Sequence, residues 1–408
     1  MRVKTRAVWM AGAMGLIGVV FLLLVSAGAQ TITIGFTVSH TGKLKVDSEE
    51  QFKGFELWRD QVNAAGGIKA GERRHQVRFI TYDDESNPER VQQSYTRLIQ
   101  NDAVEFLFSP YSSGLTAKAA AVTEQLGKIM ITTGAADDNT YKQGNKYLYQ
   151  MFTPATEYLS STLGAFKAKG VNNVAFVYSD DSFSTLVAKD GRSRAELLGI
   201  KVVLDQSYSA GAKDFGAVIK ALRSSGATAL IGGGHYEDGE ALARQLHDDK
   251  ANLRFVVLLV APDSPEFSKL GEVAYGVMVP SQWEPQSSFK QQIGPTGAAF
   301  VKAFQARYSA IPSYESAGGY AAGLVLQQAI EHCKSTDTAK VASALDAVDI
   351  TTFFGHTRFA TSAGQHGLQV MHNMVLAQWQ KDESGKLAKQ VVWPEAAKTA
   401  NLVLISGR

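Results

Sequence analysis

"VEFLFSPYSSGLTAKAAAVTEQLGKIMITTG", residues 104–134, decides the fold. A short apolar run, "VEFLFSP", leads through Tyr111, Ser112, Ser113 and Gly114 into a stretch of helical length, "LTAKAAAVTEQLG", and a second apolar run, "KIMITTG", follows at once. The same order occurs on the N-terminal side. "TITIGFTV" precedes "EEQFKGFELWRDQVNAAGG", where Phe52, Phe55, Leu57 and Val62 recur at about helical spacing and Gly66-Gly67 supplies a stop. "VRFITYDD" precedes "NPERVQQSYTRLIQND", with Asn87 placed to cap a helix and Pro88 at its first position. Strands and helices alternating in this way predict an α/β fold with a parallel sheet covered on both faces.

The alternation restarts after "YQMFTPATE". "VNNVAFVYSDD", "GIKVVLDQSY", "ATALIGGGHYED" and "LRFVVLLVAPDS" are a second set of strands, with helices expected at about 182–198, 214–225 and 238–249. A helical section, "PTGAAFVKAFQARYSA" and "ESAGGYAAGLVLQQAIEHC", comes next, then β-like segments such as "GLQVMHNMVLAQWQ" and "KQVVWP". A chain of 408 residues suits two domains of ordinary size. No low-complexity linker separates the halves, so their boundary must be a few hinge residues.

Residues 1–29 read as a cleavable signal peptide. Arg2, Lys4 and Arg6 precede an apolar run from Ala7 to Val25, and "SAGAQ" puts Ala27 and Ala29 at the small positions of a cleavage site, which disfavours a membrane anchor. The expected destination is the periplasm. Cys333 is the only cysteine, so no intrachain disulfide supports the fold and a lipoprotein cysteine is missing from its place. Lys+Arg 41 against Asp+Glu 39 gives no basis for a nucleic-acid partner or a membrane-surface one. A soluble monomer is expected.

Ligands of open parallel sheets bind outside the carboxyl ends of the strands. The loops to consider are therefore "SPYSSG", "TTGAADD", "YSDDSFS", "GGGHYEDG" and "APDSPE". Ser112 and Ser113 offer hydroxyls, and a helix starting near Gly114 adds N–H donors and a positive dipole end, which suits a small carboxylate. Either serine serves equally well as a plain N-cap, and Tyr111 as an aromatic wall or as core. Gly134, Ala135 and Ala136 are small enough to let a ligand reach the backbone. His235 is a ligand contact or a structural histidine, and Asp180 and Asp181 are helix-start carboxylates.

Catalytic and cofactor motifs are missing. The G-x-G at Gly232 and Gly234 is followed by Glu237 where a dinucleotide fingerprint needs glycine, and no phosphate-binding P-loop, G-x-S-x-G or H-E-x-x-H occurs. No cofactor and no metal are predicted. A triad assembled in space from Ser112, His235 and Asp263 is the one hydrolase arrangement left open. The preferred reading is a cleft that binds without reacting, hence no enzyme.

"IGFTVSHTGKLKVDSEEQFKGFELWRDQVNAAGGIKAG", "YDDESNPERV", "FSPYSSG", "IMITTGA", "AGAKDFGAVIKALRSSGATALIGGG" and "PSYESAGGYAAGLVLQQAIE" closely resemble the leucine/isoleucine/valine-binding protein family, the type I periplasmic solute-binding proteins of ABC transporters. The resemblance covers essentially the whole mature chain. It implies two Rossmann-like lobes with parallel sheets, joined by three crossover strands near Met151–Pro154, Val279–Ser281 and Phe354–Thr357. The lobes would be residues 30–152 plus 282–354 and 153–281 plus 355–408. It also implies a permease partner, and a ligand trapped as the lobes close.

By the same resemblance Ser112 is the carboxylate-binding serine, and Thr132 to Ala136 form the loop contacting the ligand's carboxylate and amine. Phe183 covers the ligand from the second lobe, Gly232 to His235 form a facing loop, and the acidic partner of the ligand amine lies near Asp263. Ala136 replaces a hydroxyl of the amino-acid binders and Phe183 a tyrosine, so an aromatic carboxylate or an amide competes with an amino acid as the ligand. A sensor of the same fold that signals to a receptor partner is the alternative role.

Overall fold

The computed structural model describes residues 30–405, so the expected signal peptide lies outside the described residues. From the N-terminus the elements are β1 (Gln30–Val38), α1 (Lys45–Ala64), β2 (Ile68–Ala70), β3 (Arg73–Asp83), α2 (Pro88–Gln100), β4 (Phe106–Phe108), α3 (Ser113–Gln125), β5 (Met130–Thr132) and β6 (Leu148–Gln150). They build a six-stranded sheet of order β2-β3-β1-β4-β5-β6 in which only the β2–β3 pair is antiparallel. Asn87 does cap α2, its side chain accepting from the amides of Glu89 and Arg90, with Pro88 at the first helical position. β4 is buried along its whole length, as a central parallel strand covered on both faces must be.

The second set runs α4 (Ser160–Ala168), β7 (Asn173–Ser179), α5 (Ser182–Leu197), β8 (Lys201–Tyr208), α6 (Gly216–Ser225), β9 (Ala229–Gly233), α7 (Tyr236–Asp248), β10 (Phe255–Leu258) and β11 (Met278–Ser281). Then come α8 (Gly297–Tyr308), α9 (Tyr314–Cys333), α10 (Thr338–Asp346), β12 (Asp349–Thr352), β13 (Gly355–Arg358), β14 (Val375–Lys381) and β15 (Leu387–Trp393). The second sheet has the order β15-β14-β11-β10-β9-β7-β8; β14 and β15 extend it antiparallel along one edge.

The helices after β11 return to the first sheet. Phe300, Phe304, Tyr320 and Val325 share one core with Phe36, Phe55 and Phe108. α9 lies so close to α1 that a Cβ on Gly319 would stand 2.6 Å from the Gln51 carbonyl, which only glycine accommodates. The chain crosses between lobes after β6 and again after β11, where Trp283 already belongs to the first core. We propose that the third crossing falls later than the expected Phe354–Thr357. β12 and β13 pair as a hairpin, Phe359 packs in the first core, and Gln150 N donates to the Gly367 carbonyl, whereas Met374 enters the second core. We propose lobes of 30–152 plus 282–369 and of 153–281 plus 370–405, the hairpin being held to the first lobe by its apolar side chains.

Both sheets reverse their winding beside the cleft. In the first, the chain leaves β1 for β3 on one side and β4 on the other; in the second, it leaves β7 for β8 and β9. The crevice at such switch points is where strand ends splay and loops leave room for a ligand.

Candidate functional site

The loops from these switch points face each other across the cleft. After β4, Ser112 holds φ 81 and ψ 147, a conformation that costs a non-glycine residue about 1–3 kcal/mol. Two bonds keep it there: its amide donates to the Gly134 carbonyl at 3.0 Å, and its Oγ accepts from Leu115 N at 3.3 Å, capping α3. Ser113 Oγ accepts from the amides of Ala136 and Asp137, both at 3.1 Å, so the loops after β4 and β5 are stitched together. Gly134, at φ 68, gives way to the Tyr111 ring; a Cβ there would stand 2.7 Å from it.

Tyr111 turns inward and meets the other lobe, its hydroxyl 3.1 Å from His235 Nδ1. Phe183, at the start of α5, is buried with its ring edge-on to Tyr158, centroids 5.0 Å apart. Asp181 caps that helix, accepting from Ser184 N at 3.0 Å, as a helix-start carboxylate should. Further bonds close the cleft: Tyr236 N donates to Asp47 Oδ2 at 3.1 Å, Tyr314 N to Asp263 Oδ2 at 2.8 Å, and the hydroxyls of Tyr158 and Tyr314 lie 2.8 Å apart.

Two cavities result. The inner one is walled by Tyr111, Ser113, Gly134 and Ala136 from one lobe and by Phe183 and His235 from the other. Phe152, Tyr158, Val260, Tyr314 and Glu315 complete it. The outer one has Ser112, Lys43, Asp181, His235 and Glu237 among its lining residues. Ser112 thus faces the outer space and Ser113 the inner. Ala135 is buried but lines neither.

Asp263 is not among the residues lining either cavity. It is buried, its Oδ1 2.5 Å from Lys389 Nζ and its Oδ2 taken by Tyr314 N. Lys389 also reaches Glu284 Oε1 at 3.0 Å, so one ammonium serves two buried carboxyls. The hydrolase triad is not assembled: Asp263 is held by Lys389, and His235 pairs with Tyr111. Burial pushes Glu284 up to about 7 against the pull of Lys389, and pushes Asp47 up to about 7 against the pull of His235.

Sequence reasoning missed Phe152, Tyr158, Val260, Tyr314 and Glu315. The first two follow a crossing point and the last two open a helix that reads only as packing. One signal was present: Glu315 is the sole charged residue between Tyr314 and Ile330. An acidic residue in a first turn also has the ordinary role of favouring the helix dipole, so the signal had two meanings.

A model of the periplasmic binding protein family matches residues 31–386. The chain belongs to this family. Its fold is that of the type I periplasmic binding proteins, with the leucine/isoleucine/valine-binding proteins as relatives. Leu/Ile/Val-binding protein homolog 7 of Brucella melitensis is 26% identical over 389 residues, covering 91% of this binding protein and 94% of the relative. The structure resembles the LivJ substrate-binding protein of Streptococcus pneumoniae solved with isoleucine (TM-score 0.72, 23% identity, 90% of this chain and 100% of that one). It also resembles a solute-binding protein of R. palustris solved with benzoate (TM-score 0.75, 17% identity, 91% and 98% coverage). Among the described residues of this binding protein, no group of acidic, histidine or cysteine side chains is placed to hold a metal ion, and no helix is long and apolar enough to cross a membrane.

Proposed function

We propose that this protein is the extracytoplasmic receptor of an ABC importer, binding a small carboxylate-bearing solute in the inner cavity and presenting it to the permease. The observation that carries the reading is the enclosure of one small cavity by both lobes, with hydroxyls, backbone and the N-terminal end of α3 on one side and Phe183 with His235 on the other. The relatives solved with isoleucine and with benzoate set the range of candidate solutes. Ligand shifts the population toward the closed form, which the permease distinguishes from the open one. The protein acts without turnover: the one candidate nucleophile, Ser112, caps a helix, and His235 is bonded to the Tyr111 hydroxyl.

A thermal-shift screen of the mature protein against amino acids, benzoates and amides tests this. A solute at 100 times its Kd stabilises by about 2.7 kcal/mol. The binding solute is recovered unchanged after hours of incubation, and Phe183→Ala weakens it at least ~10-fold. Chemical turnover of the solute, or full affinity in the Phe183→Ala protein, rejects the reading.

A further inference from the structure

The inner cavity is walled by one charged group whose bonding the protein leaves incomplete. Glu315, in the first turn of α9, is 2% exposed, lines the cavity, and has no hydrogen-bond partner for its Oε1. The other acids around the cleft are committed. Asp263 is bound by Lys389 and Tyr314 N, Asp47 by Tyr236 N, and Asp238 by Tyr208 and the His235 amide. The Glu315 carboxyl also meets that of Asp263, and burial together with this acidic neighbour raises it well above the ordinary carboxyl range, so the one contact it has is with another acid and its Oε1 stays unpaired. Among the described residues no lysine or arginine lines the inner cavity, and the nearby cation, Lys389, already serves two carboxyls. A carboxyl buried in this way is stable as an ion only beside a cation that also donates a hydrogen bond.

We propose that Glu315 receives the ammonium group of the ligand, so that the cavity selects α-amino acids over carboxylic acids of the same shape that lack the amine. The proposal rests on reading the inner cavity as the solute site, and it names the solute's second functional group. It also relocates recognition. Glu315 stands on α9, which packs with the first lobe, as do Ser112, Ser113 and Gly134. Both charged ends of the solute therefore dock on one lobe, and the second lobe contributes ring cover from Phe183 and His235. Asp263, by contrast, ties Lys389 to Tyr314 and holds the lobes together without touching the solute.

A carboxylic acid without the amine would bring its own charge toward Glu315 with nothing to offset it. Truncating one partner of a buried, hydrogen-bonded charge pair weakens binding by at least ~30-fold. The test is calorimetry on the mature chain with two matched pairs: leucine with 4-methylpentanoate, and phenylalanine with 3-phenylpropanoate. In the parent, at least one amino acid binds ~30-fold or more tighter than its partner. In Glu315→Gln that ratio falls below ~3-fold, while Asp263→Asn keeps it.

Far-UV circular dichroism and the ligand-free Tm show whether each variant folds; if Glu315→Gln does not, the ratio in the parent decides. A ratio below ~3-fold in the parent overturns the proposal and leaves the receptor reading intact. Loss of the ratio in Asp263→Asn but not in Glu315→Gln also overturns it, in favour of Asp263. If neither amino acid binds while benzoate does, the amine preference falls alone; if no acid of any kind binds, both readings fall.

Discussion

Replacing Lys389 with methionine should cost the ligand-free fold about 3–5 kcal/mol, the usual penalty for breaking a buried ion pair by removing one partner. Lys389 Nζ lies 2.5 Å from Asp263 Oδ1 and 3.0 Å from Glu284 Oε1, and the side-chain exposures are 8%, 0% and 0%. Methionine keeps the apolar stem packed against its neighbours but leaves two buried carboxyls facing each other. Glu284→Gln is the informative contrast, since it leaves Asp263 and Lys389 as a one-to-one pair.

Glu284 is pushed up to about 7 by burial, from an ordinary 4.5. A carboxyl raised in the folded state contributes stability that is fully present below its unfolded value and is lost as pH rises through about 7. A shift of that size corresponds to ~3 kcal/mol at 1.36 kcal/mol per unit. The parent should therefore lose up to ~3 kcal/mol from this group between about pH 4.5 and pH 8, and Glu284→Gln should lack that part of the slope. Urea unfolding across this range measures both variants. Lys389→Met within ~1 kcal/mol of the parent at pH 7, or a Glu284→Gln slope equal to the parent's, would refute the trio as described.

Tyr111→Phe removes the hydroxyl that meets His235 across the cleft. A single neutral hydrogen bond contributes ~0.5–1.5 kcal/mol, so solute affinity should fall by up to ~10-fold with little change in ligand-free Tm; an unchanged Kd in calorimetry contradicts the contact. Ser113→Ala leaves the buried amides of Ala136 and Asp137 without their shared acceptor. It should destabilise by ~1–3 kcal/mol in urea unfolding even without solute, and a loss confined to binding would instead show that the hydroxyl acts on the solute.

Much of the first lobe was legible because its signals are local. Asn87 and Pro88 start α2 through capping and the fixed backbone angle of proline. The expected cavity residues Tyr111, Ser113, Gly134, Ala136, Phe183 and His235 follow loops at strand ends, and the structure brings them together. The attachment of the hairpin after α10 depends on where Phe359 and Gly367 find partners, which no local pattern encodes.

What the sequence by itself determined is the alternation of strands and helices, the two α/β halves and the loops able to face a solute, since periodicity and turn chemistry act over a few residues. Only the tertiary structure decided the ionic arrangement. Asp263, Glu284 and Lys389 come from three separated segments, and Glu315 stands next to Asp263 through a helix that folds back onto the first lobe. Which carboxyl is paired with a cation depends on burial and on which cation lies within reach. Those are consequences of packing, where the cost of an unpaired charge is set by distance and exclusion of water.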